Sequence, residues 1–167
     1  KEHWQAFKRV LRYIRGTMDH GIVFQKRAGS ELRVQGFADS DWGGDRETRK
    51  STTGYIFHLL DGPICWSTKR QPTVALSTTE AEYMAVCAAG QEAVWIRQLL
   101  KELGVETVGA TVIYQDNQGC IALAKNPVNH KRTKHIDIKF HFIRDLVASK
   151  AVELKWVPTK GMLADFL

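Results

Sequence analysis

Four acidic residues stand where a strand ends or a helix begins, and together their side chains could do chemistry. They are Asp39 in LRVQGFAD, Glu82 in STTEAEYMA, Asp116 in TVIYQDNQG and Asp165 in PTKGMLADF. Taken singly, Asp39 or Asp116 could be only a helix or turn cap. Two Mg²⁺ ions about 4 Å apart need hard oxygen ligands, and three or four convergent carboxylates suit them. A protein whose fold brings the four acids together could therefore be a two-metal nuclease. In such an enzyme a water molecule attacks the phosphorus, so no side-chain nucleophile is needed.

Glu82, and not its neighbour Glu80, is predicted to point inward from the longest helix. The helix opens with Ser77-Thr78-Thr79-Glu80, a capping box in which Glu80 would reach back to the Ser77 amide. At about 100° per residue, Glu82 lies in line with the apolar stripe of the helix, whereas Glu80 lies on the polar side. The stripe consists of Val86, Ala89, Ala93, Ile96 and Leu100. Because an unpaired buried carboxylate is costly, Glu82 must have a partner that explains it.

Periodicity and turn signals divide the chain into helices and strands. In chain order the predicted elements are a helix His3–Arg15, strands Gly21–Lys26, Leu32–Asp39, Thr53–Leu60 and Pro63–Lys69, a helix Ser77–Leu103, a strand Ala110–Gln115, helices Asn117–Lys125 and Ile136–Ser149, a strand Ala151–Val157, and a last helix from Pro158 that holds Asp165. Asp61-Gly62 predicts a two-residue hairpin. The order indicates an α/β fold with a mixed sheet, in which the carboxyl ends of parallel strands form the site.

The composition predicts one soluble, intracellular domain with an anionic partner. The chain has 167 residues, 44% of them hydrophobic, and a formal net charge of +6. No apolar run approaches the roughly 18 residues of a membrane span, so no membrane partner is expected. Cys65, Cys87 and Cys120 lie in apolar surroundings without a CxxC pair, which is typical of core thiols in a reducing compartment. The missing initiator Met suggests a fragment of a larger polypeptide.

Other kinds of site have less support in the sequence. His130, His135 and His141 could suggest zinc, but no cysteine lies near them, and a basic loop is the better interpretation. Ser77 lacks the glycines of a nucleophile elbow, so a hydrolase triad is not expected. Trp66, Trp95 and Trp156 are predicted to be core residues, and Trp42 alone is expected near the site.

Six segments resemble the ribonuclease H domain of copia-type (Pseudoviridae) LTR-retrotransposon reverse transcriptases. They are GFADSDWGGD, RKSTTGYIFHL, ICWSTKRQPTVALSTTEAEYMA, IYQDNQGCIALAKNP, HKRTKHIDIKFHFIRD and VPTKGMLAD. The resemblance implies a ribonuclease H-like fold, a five-stranded mixed sheet with helices on both faces. HWQAFKRVLRYIRGT is similar to the connection segment on the polymerase side, which implies a connection helix and strand over residues 1–30 and a ribonuclease H domain over residues 31–167.

The resemblance also implies an activity, a cofactor and partners. The enzyme would cleave the RNA strand of an RNA/DNA hybrid with two Mg²⁺ ions, for which Mn²⁺ could substitute. Asp39, Glu82, Asp116 and Asp165 would be the catalytic metal ligands, and Asp41 is the residue most easily mistaken for one of them. The polymerase domain of the same polyprotein would be a partner, in the cytoplasm and within virus-like particles.

Substrate contacts are expected beside the acids and in the basic loop. Neutral donors next to the acids suit sugars and 2′-hydroxyls, and lysines and arginines suit phosphates. The candidates are Arg49, Lys50, Ser51, Thr52, Asn117, Gln118, Lys131, Arg132, Lys134 and His135, with Arg46, Lys69 and Arg70 as further basic residues.

Three alternative functions are kept beside the active nuclease. The chain could be a hybrid-binding module with little activity when separated from its polymerase. It could be a domesticated scaffold, which would predict decay at the acids. A related fold with another reaction, such as integrase or junction resolution, would also use acids on this sheet, but the ADSDW, STTEAEY and YQDNQ contexts argue against it.

Overall fold

The sheet has five strands in the order β3-β2-β1-β4-β5. A computed structural model describes residues 1–25, 31–125 and 134–167, and the side chains of all of these except 134–140. The strands are β1 (Gln35–Asp41), β2 (Thr52–Leu59), β3 (Gly62–Arg70), β4 (Thr111–Gln115) and β5 (Val152–Trp156). β1, β2 and β3 pair antiparallel, whereas β4 runs parallel to both β1 and β5. The predicted mixed sheet is confirmed.

Four α-helices accompany the sheet, and one of them provides most of the core. They are α1 (Glu2–Gly16), α2 (Thr78–Glu102), α3 (Gln118–Lys125) and α4 (Lys134–Ala148). α2 packs on β1, β2 and β4, and its apolar stripe is buried as the periodicity predicts. At Gly90 an added Cβ would lie 2.6 Å from Ile143 Cδ1, so this glycine permits the close approach of α4.

Helices α2, α3 and α4 contact one another and therefore cover the same face of the sheet. Within the described residues, no helix packs on the opposite face, which corrects the expectation of helices on both. That face carries the stacked rings of Phe37 and Tyr114, whose centroids are 4.9 Å apart.

The hairpin between β2 and β3 uses a different residue pair from the one predicted. Leu59 pairs with Gly62, so the two loop residues are Leu60 and Asp61. Both have positive φ, 53° and 63°, as a type I′ turn requires. Gly62 begins β3 instead, where an added Cβ would lie 2.5 Å from the Phe24 ring.

The N-terminal segment departs from the prediction after its helix. α1 forms as expected, but none of its residues is buried, and its apolar residues, such as Trp4 and Phe7, are exposed. Residues 21–25 are described and form no strand; the Gln25 N–H donates to the Leu60 carbonyl at 2.9 Å. Lys26, the last residue of the predicted strand, lies outside the described residues. Local alternation in this segment did not lead to a strand because the segment has no ladder partner.

Two further predictions about the core were wrong. Trp66, Trp95 and Trp156 are 55%, 55% and 52% exposed, because β3 and β5 are edge strands and Trp95 lies on the outer side of α2. Cys87 and Cys120 are buried as predicted, whereas Cys65 is only half-buried and its thiol lies 3.0 Å from a Glu92 carboxylate oxygen.

The chain after β5 does not form the predicted last helix. A single 3-10 turn, Thr159–Gly161, is followed by a turn over residues 163–166 that contains Asp165. Met162 and Ala164 are buried and anchor this segment. Across the described residues, no helix is both long and apolar enough to cross a membrane.

Candidate metal centre

Three carboxylates from three different elements meet at one end of the sheet. Asp39 belongs to β1, Glu82 to the first turns of α2, and Asp116 follows β4 directly. Each offers an oxygen, and these oxygens lie within 4.8 Å of one another. β1 and β4 are parallel neighbours, so residues near their carboxyl ends come to the same edge.

The start of α2 aims Glu82 at this point. Ser77 Oγ accepts from the Glu80 N–H at 3.2 Å, and the Glu80 carboxylate accepts from the Leu76 N–H at 2.9 Å, not from the Ser77 N–H as predicted. With Glu80 committed to the cap, Glu82 turns toward the sheet and is only 7% exposed. The choice of Glu82 over Glu80 as the inward residue is confirmed.

A buried amide that the sequence analysis missed connects the acids. Gln115, the last residue of β4, is fully buried. Its Nε2 donates to Glu82 Oε2 at 3.0 Å and to the Ala38 carbonyl at 3.2 Å. Its Oε1 accepts from the Asp116 N–H at 2.7 Å and the Asn117 N–H at 3.0 Å. A signal was available in the sequence, because the alternation of β4 places Gln115 on the same side as the core residue Ile113.

Asp116 is held from the other side by the segment that follows β5. The Thr159 hydroxyl donates to Asp116 Oδ2 at 2.7 Å, and the Trp156 indole N–H donates to the Asp116 carbonyl at 3.0 Å. Neither residue was predicted as part of the site. Both approach Asp116 only because β5 lies parallel to β4 in register.

Asp165 lies at the same open cleft as Asp39 and Asp116 but is not part of the three-carboxylate cluster. The cleft has a volume of about 440 Å³, and Asp39, Asp116 and Asp165 all line it. Gly54 makes room for the turn that carries Asp165, since a Cβ at this position would lie 3.1 Å from the Ala164 carbonyl oxygen and 3.0 Å from Leu167 Cβ.

The acids disturb one another's ionisation. Burial, and next the charge of Asp39, raise the pKa of Glu82 to about 8. Burial also raises the pKa of Asp39, and the charges of Asp116 and Asp165 act in the same direction. The hydrogen bond between the Asp39 and Glu82 side chains lowers the pKa of Asp39 and raises the pKa of Glu82, so it favours a proton on Glu82. Asp39 and Glu82 therefore keep their protons to higher pH than free carboxyl groups do.

The chain matches known proteins along its whole length. It is 48% identical over 166 residues to the retrovirus-related Pol polyprotein from transposon RE2 of Arabidopsis thaliana, a match that covers 99% of this chain and 11% of the polyprotein. The fold matches the N-terminal RNase H domain of a Mycobacterium tuberculosis protein, with a TM-score of 0.59, 17% identity and coverage of 82% of this chain and 91% of that one.

A second solved structure links the fold to a reverse transcriptase. It is the foamy viral protease-reverse transcriptase in complex with RNA/DNA hybrid, with a TM-score of 0.59, 17% identity and coverage of 89% of this chain and 21% of that one. This chain has the ribonuclease H fold and is similar, along its whole length, to one segment of retrotransposon Pol polyproteins. It spans about a tenth of the curated Pol polyproteins that it matches. No protein-family model matches the domain.

Asp41 stabilises the loop between β1 and β2. Its carboxylate accepts from the Thr52 N–H and so closes the loop between β1 and β2. An added Cβ at Gly44 would overlap the Asp41 carboxylate, which explains the glycine at this position. Asp41 also lines the cleft but is not one of the three clustered acids.

The predicted substrate contacts between β1 and β2 differ in their surroundings. Ser51 is fully buried, and its hydroxyl accepts from the Gly43 N–H at 3.0 Å, so it supports the loop. Thr52 lines the cleft beside the acids. Arg49 is exposed and Lys50 is half-exposed, at the edge of the same loop.

Asp45 stabilises that loop and forms an ion pair with Arg70, one of the other basic residues proposed to contact substrate. The Thr48 hydroxyl donates to Asp45 Oδ2 at 2.7 Å, and Arg70 forms an ion pair with it at 2.8 Å. Hydrogen bonds from Thr48, and then from Arg70, hold the pKa of Asp45 well below its usual range. Arg46 and Lys69 are exposed.

The remaining candidates lie at the starts of α3 and α4. Asn117 Oδ1 accepts from the Cys120 N–H at 2.9 Å and caps α3, and Gln118 is exposed in the first turn of that helix. Lys131 and Arg132 lie outside the described residues. Lys134 and His135 begin α4, but their side chains lie outside the described residues.

The residues of the centre fit a hard divalent cation. Their ligand atoms are all carboxylate oxygens, the donors that Mg²⁺ and Mn²⁺ prefer. Glu82 is nearly buried, and its burial and the charge of Asp39 both disfavour its ionised form. A divalent cation held among the three carboxylates would offset this cost.

Proposed function

We propose that this domain is a ribonuclease H, a metal-dependent endonuclease that hydrolyses the RNA strand of RNA/DNA hybrids during retrotransposon reverse transcription. The observation that carries the proposal is the convergence of Asp39, Glu82 and Asp116 within 4.8 Å, at the carboxyl end of parallel strands in a ribonuclease H-like fold. The Pol relatives and the hybrid-bound structural neighbour support the substrate class.

Four residues would hold the metal. Asp39, Glu82 and Asp116 would supply the close ligands, and Asp165 would complete the site from its place at the same cleft. Two Mg²⁺ ions, or Mn²⁺ in their place, would supply an activated water for in-line attack and charge stabilisation on the leaving oxygen. The chain's own residues keep the acids in position: Gln115 holds Glu82, and Thr159 holds Asp116.

The substrate would approach along the open side of the cleft. Asp41, Thr52 and residues 164–166 of the last turn line it. Arg49 and Lys50 precede Thr52 in the β1–β2 loop, where they could contact the phosphate backbone, and Gln118 offers a neutral donor two residues after Asp116. Recognition of hybrid geometry and 2′-hydroxyls predicts cleavage with little dependence on base sequence.

The experiment is cleavage of an end-labelled RNA/DNA hybrid in Mg²⁺, Mn²⁺ or EDTA. The wild-type domain should cut only the RNA strand and only with metal, and Asp116→Asn should abolish cutting while hybrid binding is retained or improved. Glu82→Gln has a matched control in Glu106→Gln, an exposed acid beyond the opposite end of α2, which extends about 30 Å from Glu82 to its last residue, Glu102.

The control variant should cleave as the wild type does. Wild-type cleavage rates in Glu82→Gln or Asp116→Asn would refute the assignment of the acids. Equal cutting of RNA/RNA and RNA/DNA duplexes would refute the substrate class.

A second candidate function is a hybrid-binding module with little activity apart from its polymerase. It is favoured by the turn that carries Asp165, which has few backbone hydrogen bonds of its own. Tight hybrid binding without cleavage, together with restored cleavage when the polymerase domain is added, would establish this alternative.

The proposal extends to the surroundings of the domain in the polyprotein. We assign residues 1–30 to the connection with the polymerase, because the apolar side chains of α1 have no buried contacts in the domain itself. Residues 31–167 would form the nuclease proper. Cytoplasmic virus-like particles are the proposed location, and co-sedimentation of the domain with particle-bound reverse transcriptase activity would test it.

A further inference from the structure

We infer that Gln115 is a positioning residue of the metal centre, whose side-chain amide sets the relative positions of the three elements that carry the clustered acids. The inference rests on the proposed function, because it takes Asp39, Glu82 and Asp116 to be metal ligands. Gln115 itself would touch neither metal nor substrate.

The four hydrogen bonds of the Gln115 amide together reach all three acid positions. One donor reaches the carbonyl of Ala38, the residue before Asp39 in β1, at 3.2 Å, and the other reaches the Glu82 carboxylate of α2 at 3.0 Å. The acceptor holds the Asp116 N–H at 2.7 Å and the Asn117 N–H at 3.0 Å, where β4 passes into α3. A single side chain therefore connects β1, α2 and the β4–α3 junction at the points where the acids stand.

The chemistry of this position requires a glutamine. A primary amide has two N–H donors and a carbonyl with two acceptor positions, and all four are used here. The relative exposure of Gln115 is 0%, so no solvent reaches the amide to replace a lost partner. Methionine has similar length without the polar atoms, and asparagine has the amide on a shorter stem that cannot span the same groups.

Loss of the amide would weaken the fold, because buried partners would lose their hydrogen bonds, and it would also loosen the site. Glu82 would lose the donor that orients its carboxylate, while the peptide that bears Asp116 would lose its acceptor. Metal centres require ligands held within about 0.5 Å of the productive geometry. Removal of groups that orient metal ligands typically lowers metal affinity by about 10- to 100-fold.

The test is Mn²⁺ binding, measured by electron paramagnetic resonance on wild type, Gln115→Met, Gln115→Asn and Ile113→Ala. Ile113 is the matched control, because it is fully buried in the same strand, two residues earlier, and contacts none of the acids by hydrogen bonds. Its truncation lowers stability by leaving a cavity. Circular dichroism and the urea midpoint show which variants are folded at the temperature of the binding measurement.

Gln115→Met should lower Mn²⁺ affinity by at least about tenfold, and Ile113→Ala should stay within about twofold of the wild type. Gln115→Asn should fall in the same direction as Gln115→Met. In hybrid cleavage, excess Mn²⁺ should restore the Gln115 variants but not Asp116→Asn. Ile113→Ala, at a temperature where it is folded, should reach its full cleavage rate at the same Mn²⁺ concentration as the wild type. Wild-type Mn²⁺ affinity in folded Gln115→Met, or an equal loss in Ile113→Ala, would overturn the inference.

If both Gln115 variants fail to fold, one measurement on the wild type still tests whether the Gln115 amide is held in place. The side-chain amide protons of Gln115, followed by NMR, should exchange with solvent at least about 100-fold more slowly than those of the exposed Gln91. Equally fast exchange would mean that the amide is not held, and the inference would be wrong. If the wild type binds Mn²⁺ but does not cleave hybrid, the proposed function is refuted. The inference about Gln115 is then judged from the Mn²⁺ affinities of the Gln115 variants alone.

Discussion

Replacing Glu82 by glutamine should stabilise the metal-free domain, and increasingly so as the pH rises. In the unfolded chain this carboxyl ionises near its ordinary value of 4.5, whereas in the folded domain burial and the charge of Asp39 raise its pKa to about 8. Between these two values the folded state holds a proton that the unfolded state has lost. Stability of the wild type must therefore fall as the pH rises through this window.

The magnitude follows from the width of the window. At 1.36 kcal/mol per pH unit, the interval from 4.5 to about 8 corresponds to an upper limit of about 5 kcal/mol. Because Asp39 shares the repulsion and the open cleft lets the site relax, we expect Glu82→Gln to be more stable than the wild type by about 3 kcal/mol at pH 8. Near pH 4.5 the two proteins should differ by less than about 1 kcal/mol, since the amide oxygen introduced by the substitution can still accept from the Gln115 amide.

The assay is urea unfolding in EDTA at pH values from 4.5 to 8, with the wild type, Glu82→Gln and the exposed control Glu106→Gln. The difference in the free energy of unfolding between the wild type and Glu82→Gln removes the contribution of groups that titrate equally in both proteins. Addition of Mn²⁺ at pH 7 should stabilise the wild type and the control but have little effect on Glu82→Gln. A stability difference that does not change with pH, or a Glu82→Gln variant that is less stable than the wild type at pH 8, would refute the electrostatic reasoning.

Three further variants test how the remaining parts of the site are held. Thr159→Val removes the hydroxyl that donates to Asp116 at 2.7 Å, and should lower Mn²⁺ affinity by about tenfold with a stability loss near 1 kcal/mol, measured by titration and by urea unfolding. Gly54→Ala places a methyl group 3.1 Å from the Ala164 carbonyl oxygen, so it should displace the turn that carries Asp165 and reduce hybrid cleavage; unchanged cleavage would show that this turn is not needed. Asp41→Asn keeps an oxygen that can accept from the backbone and should retain most of the cleavage, whereas a complete loss would make Asp41 a metal ligand.

The elements of the fold were predictable because their signals are local. The capped, amphipathic sequence of α2 and the β-branched and aromatic residues of β2 predict these elements to within one residue. The predictions of secondary structure and burial fail where contacts with residues far away in the chain decide whether a segment forms a strand or a side chain is buried. Residues 21–25 lack a ladder partner and form no strand, and the exposed Trp66 stands on an edge strand that local sequence cannot distinguish from a central one.

The sequence by itself selected the acids of the candidate site, and the tertiary structure decided how those acids are held. Residue types and helical phase were enough to select Asp39, Glu82 and Asp116 and to distinguish Glu82 from Glu80, because the phase of a helix is a local property. The roles of Gln115, Thr159 and Ser51 depend on contacts between residues far apart in the chain. Those contacts exist only once the strand order and register bring the elements together, since a hydrogen bond requires heavy atoms within about 3 Å of each other.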